Sequence, residues 1–308
     1  MRSISLDHTS SIHALLLLFF SSLAVISTWV IAAEDADVAR ELGKVKPKQL
    51  KELSGMAASR QNPDILWLHN DGNARLVFAV STSGQLAALV SWPVEIEDFE
   101  DIAIGPGPKT GTDYLYLGDI GDNDSKRDEI RVVRFAEPQV SEARGGQIEV
   151  EAAEVFRLKY PDGAHNAEAL IVDPSSGDLF IVTKDMRNAR LFTCPASRLK
   201  DKASAALEFL GTLDIHDVSG GAIARDGSRI ILRREDKGWL WNRSRGQSIA
   251  AALQTTPQEI AVRGSRQGRN GEAVAFSPNG QRYYTVSEGK NQVICSFQLP
   301  AVTADPSP

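Results

Sequence analysis

Cysteine is nearly missing from this chain: Cys194 and Cys295 are the only two in 308 residues. They sit at similar places in two repeat units, so their spacing marks no disulfide, and no Cys/His pattern marks a zinc site. Both read as buried free thiols. A basic excess is missing too. The net charge is −6, which argues against nucleic acid as the main partner, because phosphate binding needs a positive surface. Long helical periodicity is absent, and the best helix candidate is the short "SIAAALQ", residues 248–254. There is no G-x-S-x-G elbow, no P-loop and no dinucleotide fingerprint. "GPGPKTGTD", residues 105–113, lacks the G-K-[ST] ending of a phosphate loop and reads as a turn between strands.

What is present begins with an apolar run, "ALLLLFFSSLAVISTWVIAA", residues 14–33, preceded by one basic residue, Arg2. The small residues Ala32 and Ala33 stand just before the acidic "EDAD". The pattern predicts an export signal over residues 1–33, cleaved near Ala33. The run is also long enough to span a bilayer, so an uncleaved N-terminal membrane anchor is the alternative. Either way the rest of the chain is expected outside the cytoplasm, periplasmic or secreted. The folded domain is expected over residues 34–300, with a disordered tail at 301–308.

A short phrase then recurs. It reads "SGMA" from Ser54, "EDIA" from Glu100, "EALI" from Glu168, "GAIA" from Gly221 and "EAVA" from Glu272, at steps of 46, 68, 53 and 51 residues. After each comes a turn and a second strand-like run, such as "DYLYLGD" or "RIILRRED", then a third and in most units a fourth. "SSGD", "RDGS" and "PNGQ" supply the Gly, Asp and Asn that a tight hairpin needs between the first and second runs. Four strands repeated at about fifty residues predict an all-β protein, a single β-propeller of four-stranded antiparallel blades. Five blades are counted. Six remain possible if the 68-residue step, which contains "EPQVSEARGGQIEVEA", merges two units. The last unit lacks a fourth strand, and "ARELGKVKPKQLKEL" before Ser54 is expected to supply it and close the ring, removing open sheet edges.

First strands line the bore of a propeller, so the phrase places Glu100, Glu168 and Glu272 round one axis. Three carboxylates in a partly dry channel repel each other, and a cation, protonation or basic partners must offset that. The second runs end in another equivalent set: Asp71, Asp119, Asp122, Lys184, Arg233, Arg234 and Glu288. These are expected on the face opposite the start of the first strands, although sequence leaves open whether they join the glutamates. "GDIGDND", residues 118–124, does not match an EF-hand loop, which needs acids at alternate positions with Gly sixth and Glu twelfth. A hard-cation site assembled from several blades remains, with Glu100, Glu168, Glu272, Asp122 and Asn123 as metal ligands and calcium as the cation. The plain alternative has Asp and Asn capping their own turns. Asp71, Asp119, Lys184, Arg233 and Glu288 are the expected substrate-binding groups. His165, three residues before Glu168, and His69 in "WLHNDG" are the candidate catalytic bases, since neutral imidazole suits proton transfer near pH 7. Each has the alternative of merely bonding neighbouring blades.

Together, "ELSGMAAS", "LHNDG", "FEDIAIGP", "YLYLGDIGDN", "PDGAHNAEALIVDPSSGDLFIVTK", "ARDGSRIILRRED" and "NGEAVAFS" resemble a family of exported bacterial β-propeller proteins, over roughly residues 50–290. More distantly, the axial glutamates are similar to those of calcium-dependent propellers of the gluconolactonase, regucalcin and paraoxonase type, and of phytase-like esterase propellers. That resemblance implies an axial calcium and hydrolysis of lactones or esters. The chain departs from the pattern at Phe99, where the nearer family carries Trp, and at Gly221, where an acid is expected. The asparagine ligands of those enzymes have no secure counterpart. Two functions follow as expectations: a calcium-dependent hydrolase of small esters or lactones, with a phosphoesterase variant using Lys184, Arg233 and Arg234; or a non-enzymatic propeller scaffold that binds a small molecule or a protein around a structural ion.

Overall fold

The computed structural model describes residues 38–73, 75–143, 146–263 and 271–300. The expected export segment and C-terminal tail lie outside these residues. Strand β1 (Arg40–Lys44) comes first. Blade one follows as β2 (Leu53–Ala58), β3 (Ile65–Asn70), β4 (Val77–Ser81) and β5 (Leu86–Ser91). Blade two has β6 (Phe99–Pro106), β7 (Asp113–Asp119), β8 (Ile130–Ala136) and, after a short β9 (Gln147–Glu149), β10 (Glu154–Lys159). Blade three has β11 (Ala167–Val172), β12 (Leu179–Thr183), β13 (Ala189–Cys194) and, after β14 (Ser204–Ala206), β15 (Glu208–Leu213). Blade four has β16 (Gly220–Ile223), β17 (Arg229–Arg233), β18 (Gly238–Asn242), helix α1 (Ile249–Leu253) and β19 (Gln258–Ile260). Blade five has β20 (Gly271–Phe276), β21 (Arg282–Ser287) and β22 (Val293–Gln298).

Its missing outer strand is β1, which pairs antiparallel with β22 from Arg40 opposite Ser296 to Lys44 opposite Val293. The start of the chain therefore completes the last blade, as expected. The first strands β2, β6, β11, β16 and β20 pack side by side in cyclic order, β20 returning to β2. This is a closed five-bladed propeller, and the 68-residue step holds one blade rather than two. Its insertion reaches backward: β9 adds to blade one, parallel to β5, and β14 likewise adds to blade two, parallel to β10. Two blades thus carry a fifth, short strand beyond the four expected.

Local chemistry explains the elements. The β11–β12, β16–β17 and β20–β21 hairpins turn at Gly177, Gly227 and Gly280, each with φ between 66° and 77°, where a side chain is strained. Ser248 starts α1 by accepting the Ala251 N–H on its hydroxyl. The apolar core is divided into five layers, one in each gap between neighbouring blades. Trp67 and Phe135 lie in the first gap, Tyr116 and Phe192 in the second, Trp239 and Val182 in the third. Tyr283 and Leu240 fill the gap before blade five, and Phe78 and Val286 the closing one. Cys194 and Cys295 are buried and unpaired within these layers, as expected.

A candidate cation site at one mouth of the bore

The glutamates reach the axis through a backbone device that sequence did not reveal. In blade two, Phe99 pairs with Asp119 and Asp101 with Gly118, so Glu100 has no partner across the ladder. In blade three, Glu168 is skipped between Ala167 and Ala169; in blade five, Glu272 is skipped between Gly271 and Ala273. Each is the extra residue of a β-bulge, which re-aims a side chain out of the strand's alternation. Ser54 and Gly55 occupy the irregular position in blade one, and blade four, which has no such glutamate, keeps a regular ladder.

Antiparallel pairing also settles where the second strands end. The end of β21 lies opposite the start of β20, and the end of β12 opposite the start of β11. The second strands therefore end on the same face as the glutamates, which corrects the expectation of an opposite face, and three of their charges join the recess. Asp71, Lys184 and Glu288 line the same recess of about 220 Å³ as Glu100, Glu168, Glu272 and Asn123.

Lys184 supplies the counter-charge that the chain itself provides. Its Nζ stands 2.8 Å from Glu168 Oε1 and 2.7 Å from Oε2. Asp71, Asp98 and Glu100 form a tighter knot, with one oxygen from each within 4.8 Å of the others. Among the described residues, no ion pair reaches these three. A Cβ at Gly121 would clash with Glu100 Oε1 and Asp98 Oδ2, so glycine lets the backbone close over the knot. Burial raises all of these carboxyls. Glu100 is pushed up to about 10, by burial first and then by Glu168, Asp71 and Asp98. Glu272 is raised to about 7 by burial and Glu168, while Glu168, Asp71 and Asp98 are raised by burial as well. Asp98 was not anticipated; its only sequence signal is the local density of acids in "EIEDFED".

The acids of "GDIGDND" serve mainly to build that corner. Asp119 is fully buried and paired with Arg127 at 3.0 Å and Arg131 at 2.6 Å, and its Oδ1 accepts the Asp98 N–H. It positions Asp98 and is not open to a substrate. Asp122 Oδ2 accepts the Arg127 N–H at 2.7 Å, and its own N–H donates to Asn166 Oδ1. It caps its turn, outside the recess lining. Asn123 is in the lining and holds the Asn166 amide through its Oδ1. Arg233, placed among substrate-binding groups by sequence, is wholly buried. Its guanidinium donates to the carbonyls of Ala273, Arg234 and Glu235 and ties blade four to blade five.

Neither histidine lines the recess. His165 bonds Asp162 at 2.9 Å and packs edge-on to Tyr160 and tilted on Phe192. His69 is fully buried, stacked on Phe99 with ring centroids 3.4 Å apart, its Nδ1 on the Asn70 carbonyl. Burial lowers its pKa to about 3. His69 bridges blades one and two by stacking on Phe99, whereas the hydrogen bonds of both histidines are local.

Below the recess the bore is closed by Asp101, a second residue missed in the repeated phrase. It is 2 % exposed. Its Oδ1 accepts the Ile102 N–H, and its Oδ2 accepts those of Leu170 at 2.9 Å and Gly221 at 3.3 Å. One carboxylate thus joins the inner strands of blades two, three and four.

Fold and site together define the class: a five-bladed β-propeller with an acidic recess at one axial mouth. No protein-family profile matches the chain, and no curated protein does. A solved structure titled "Crystal structure of Nidogen/Laminin Complex" is similar at 12 % identity and a TM-score of 0.43, over 85 % of this chain and 92 % of that one.

Proposed function

We propose that the axial recess binds a hard divalent cation of the calcium class together with a small oxygen-bearing ligand, in a protein that acts outside the cytoplasm. The observation that carries this reading is the knot of Asp71, Asp98 and Glu100, three carboxylates with no ion-pair partner among the described residues, beside the Lys184–Glu168 pair. The donor set is all hard oxygen, which suits calcium and its six to eight oxygen ligands. Asp71, Asp98 and Glu100 would hold the ion, with Glu168, Glu272 and the Asn123 amide at hand in the same recess. Sites of modest affinity suffice in extracellular modules, in keeping with the export expected from the sequence.

Differential scanning of the full chain tests the reading. Calcium at about a hundredfold over its dissociation constant stabilises by about 2.7 kcal/mol, a rise in Tm of about 5–10 °C for a chain of this size. Glu100→Gln is expected to remove most of that rise while leaving Tm in chelator nearly unchanged. No shift with calcium, magnesium or manganese sinks the proposal.

Hydrolysis of small esters or lactones is the second reading, and the Glu272 carboxyl favours it. A bound divalent cation supplies Lewis-acid polarisation of a carbonyl. Glu272, raised to about 7, is suited to hold and release a proton near neutral pH in place of either histidine. Lys184, on the recess wall, would orient an anionic part of the substrate. Glu272→Gln is expected to lower kcat by about 10²–10⁴-fold with calcium binding retained. An ester and lactone panel with no calcium-dependent turnover leaves the protein a binding propeller.

A further inference from the structure

The acidic recess occupies only one end of the bore. Its residues stand at or beside the starts of the inner strands: Ser54, Glu100, Glu168 and Glu272. Asp101 and its three N–H bonds close the channel behind them. At the far ends of the same strands a second cavity of about 40 Å³ opens. Its wall is aliphatic and aromatic, with Ala103, Ile104, Val172, Ile223 and Phe276 among its residues. Alanines on four of the five inner strands, Ala58, Ala103, Ala222 and Ala275, keep the axis hollow there.

Two arginines stand at this mouth. Arg60 is half-buried, its side chain 6 % exposed, and its Nη1 lies 2.7 Å from Asp113 Oδ1. Arg225 is 55 % exposed and reaches Asp113 Oδ2 at 3.8 Å. Asp113 is held closely by Arg60, so the exposed Arg225 guanidinium, which makes no hydrogen bond among the described residues, keeps N–H donors to offer a ligand. Glu137 is close by, and its Oε1 is taken by the Ser59 hydroxyl, the Arg60 N–H and the Trp67 indole, so it does not reach Arg225. An apolar slot beneath an exposed guanidinium with free donors is complementary to a short aliphatic chain with an anionic end. A water-sized guest takes about 10–15 Å³ on this measure, so the slot has room for about three, or an alkyl chain of about three or four carbons.

We propose that this second mouth is a binding site for a short-chain aliphatic carboxylate, its tail in the bore and its head on Arg225 and Arg60. The site is separate from the acidic recess and independent of any cation there.

Calorimetric titration of the full chain with butanoate tests this, in the presence of chelator so that no carboxylate can sit on a metal. Butanoate is expected to bind in the millimolar range, butanamide at least tenfold more weakly, and octanoate no more tightly than butanoate. Arg225→Gln, an exposed rim change, is expected to weaken butanoate at least tenfold with Tm unchanged. Ala103→Leu, which fills the slot, is expected to abolish binding; Ala222→Leu does the same from another blade should the first variant fold poorly. Absence of heat with butanoate, equal affinity for butanamide, or an unchanged affinity in Arg225→Gln overturns the proposal. The calcium-induced rise in Tm is measured on the same variants, and its persistence in Arg225→Gln shows that the two mouths are independent.

Discussion

Replacing Asp101 by alanine is expected to lower the melting temperature by about 10 °C. The side chain is buried where three blades meet, and it receives the N–H groups of Ile102, Leu170 and Gly221. Alanine leaves all three amides without an acceptor in the closed part of the bore. Each buried orphan costs about 1–3 kcal/mol, and part of the sum is recovered because a buried acid is also removed. Burial and the Glu168 charge push the Asp101 carboxyl well above its ordinary value, against the three N–H donors that hold it down. A net loss of about 3–5 kcal/mol is in line with breaking buried polar networks, and a chain of this size loses about 2–4 °C per kcal/mol. Asp101→Asn keeps the shape and one acceptor oxygen, so it is expected to fall between wild type and Asp101→Ala. Thermal denaturation followed by circular dichroism gives the order. An alanine variant within about 1 °C of wild type would show that the inner strands hold together without this carboxylate.

The second large effect is the dependence of stability on pH, and its direction depends on whether a cation is present. In chelator, Glu272 and Glu100 keep their protons in the fold, up to about 7 and about 10, whereas the unfolded chain releases them near 4.5. Their contribution is complete below pH 4.5 and is lost as pH rises through the folded values. For Glu272 alone the loss is about 3 kcal/mol, at 1.36 kcal/mol per pKa unit. Glu168, Asp71 and Asp98, raised in the same direction, add to it. His69 acts at the other end. It is neutral in the fold down to about pH 3, whereas the unfolded histidine takes a proton near 6.5. Its contribution is complete above pH 6.5 and falls as the solution becomes more acid, by about 4–5 kcal/mol on the same scale. Between 4.5 and 6.5 the two glutamates outweigh the one histidine, so Tm in chelator is expected to peak at about pH 4.5 and to decline steadily to pH 9. Saturating calcium holds the carboxyls ionised in the fold, flattens the alkaline decline and moves the peak to neutral pH. A chelator series that is flat or rising from pH 5 to 9 removes the electrostatic basis of the recess.

Much of the fold could be read directly. Strand order, the five units, hairpin turns at Gly177, Gly227 and Gly280, the helix at 249–253 and closure by the segment before Ser54 all follow from local pattern. Each rests on neighbours in sequence, where turn chemistry and alternation act. The site was legible only in part. Glu100, Glu168 and Glu272 stood out because the repeat placed them at equivalent positions. Asp98 carried no repeat signal, and its place beside Asp71 and Glu100 comes from blades one and two meeting across a gap. Arg233 and Asp119 have the composition of binding residues, yet both are consumed inside the fold, by carbonyls of blades four and five and by two arginines of blade two. His165 and His69 sit close to recess residues in sequence and turn elsewhere, onto Asp162 and Phe99.

By itself the sequence determined a ring of small four-stranded sheets, five or six of them, and a set of acids at matching depth, because hydrophobic alternation and turn residues are local properties repeated unit by unit. Only the tertiary structure decided which charges share a cavity. Bulges at three glutamates turn their side chains to the axis, antiparallel pairing brings Asp71, Lys184 and Glu288 up beside them, and Asp101 divides the bore into an acidic end and an apolar one. Those outcomes depend on register and on contacts between blades, where one extra residue in a strand reverses the direction in which a side chain points.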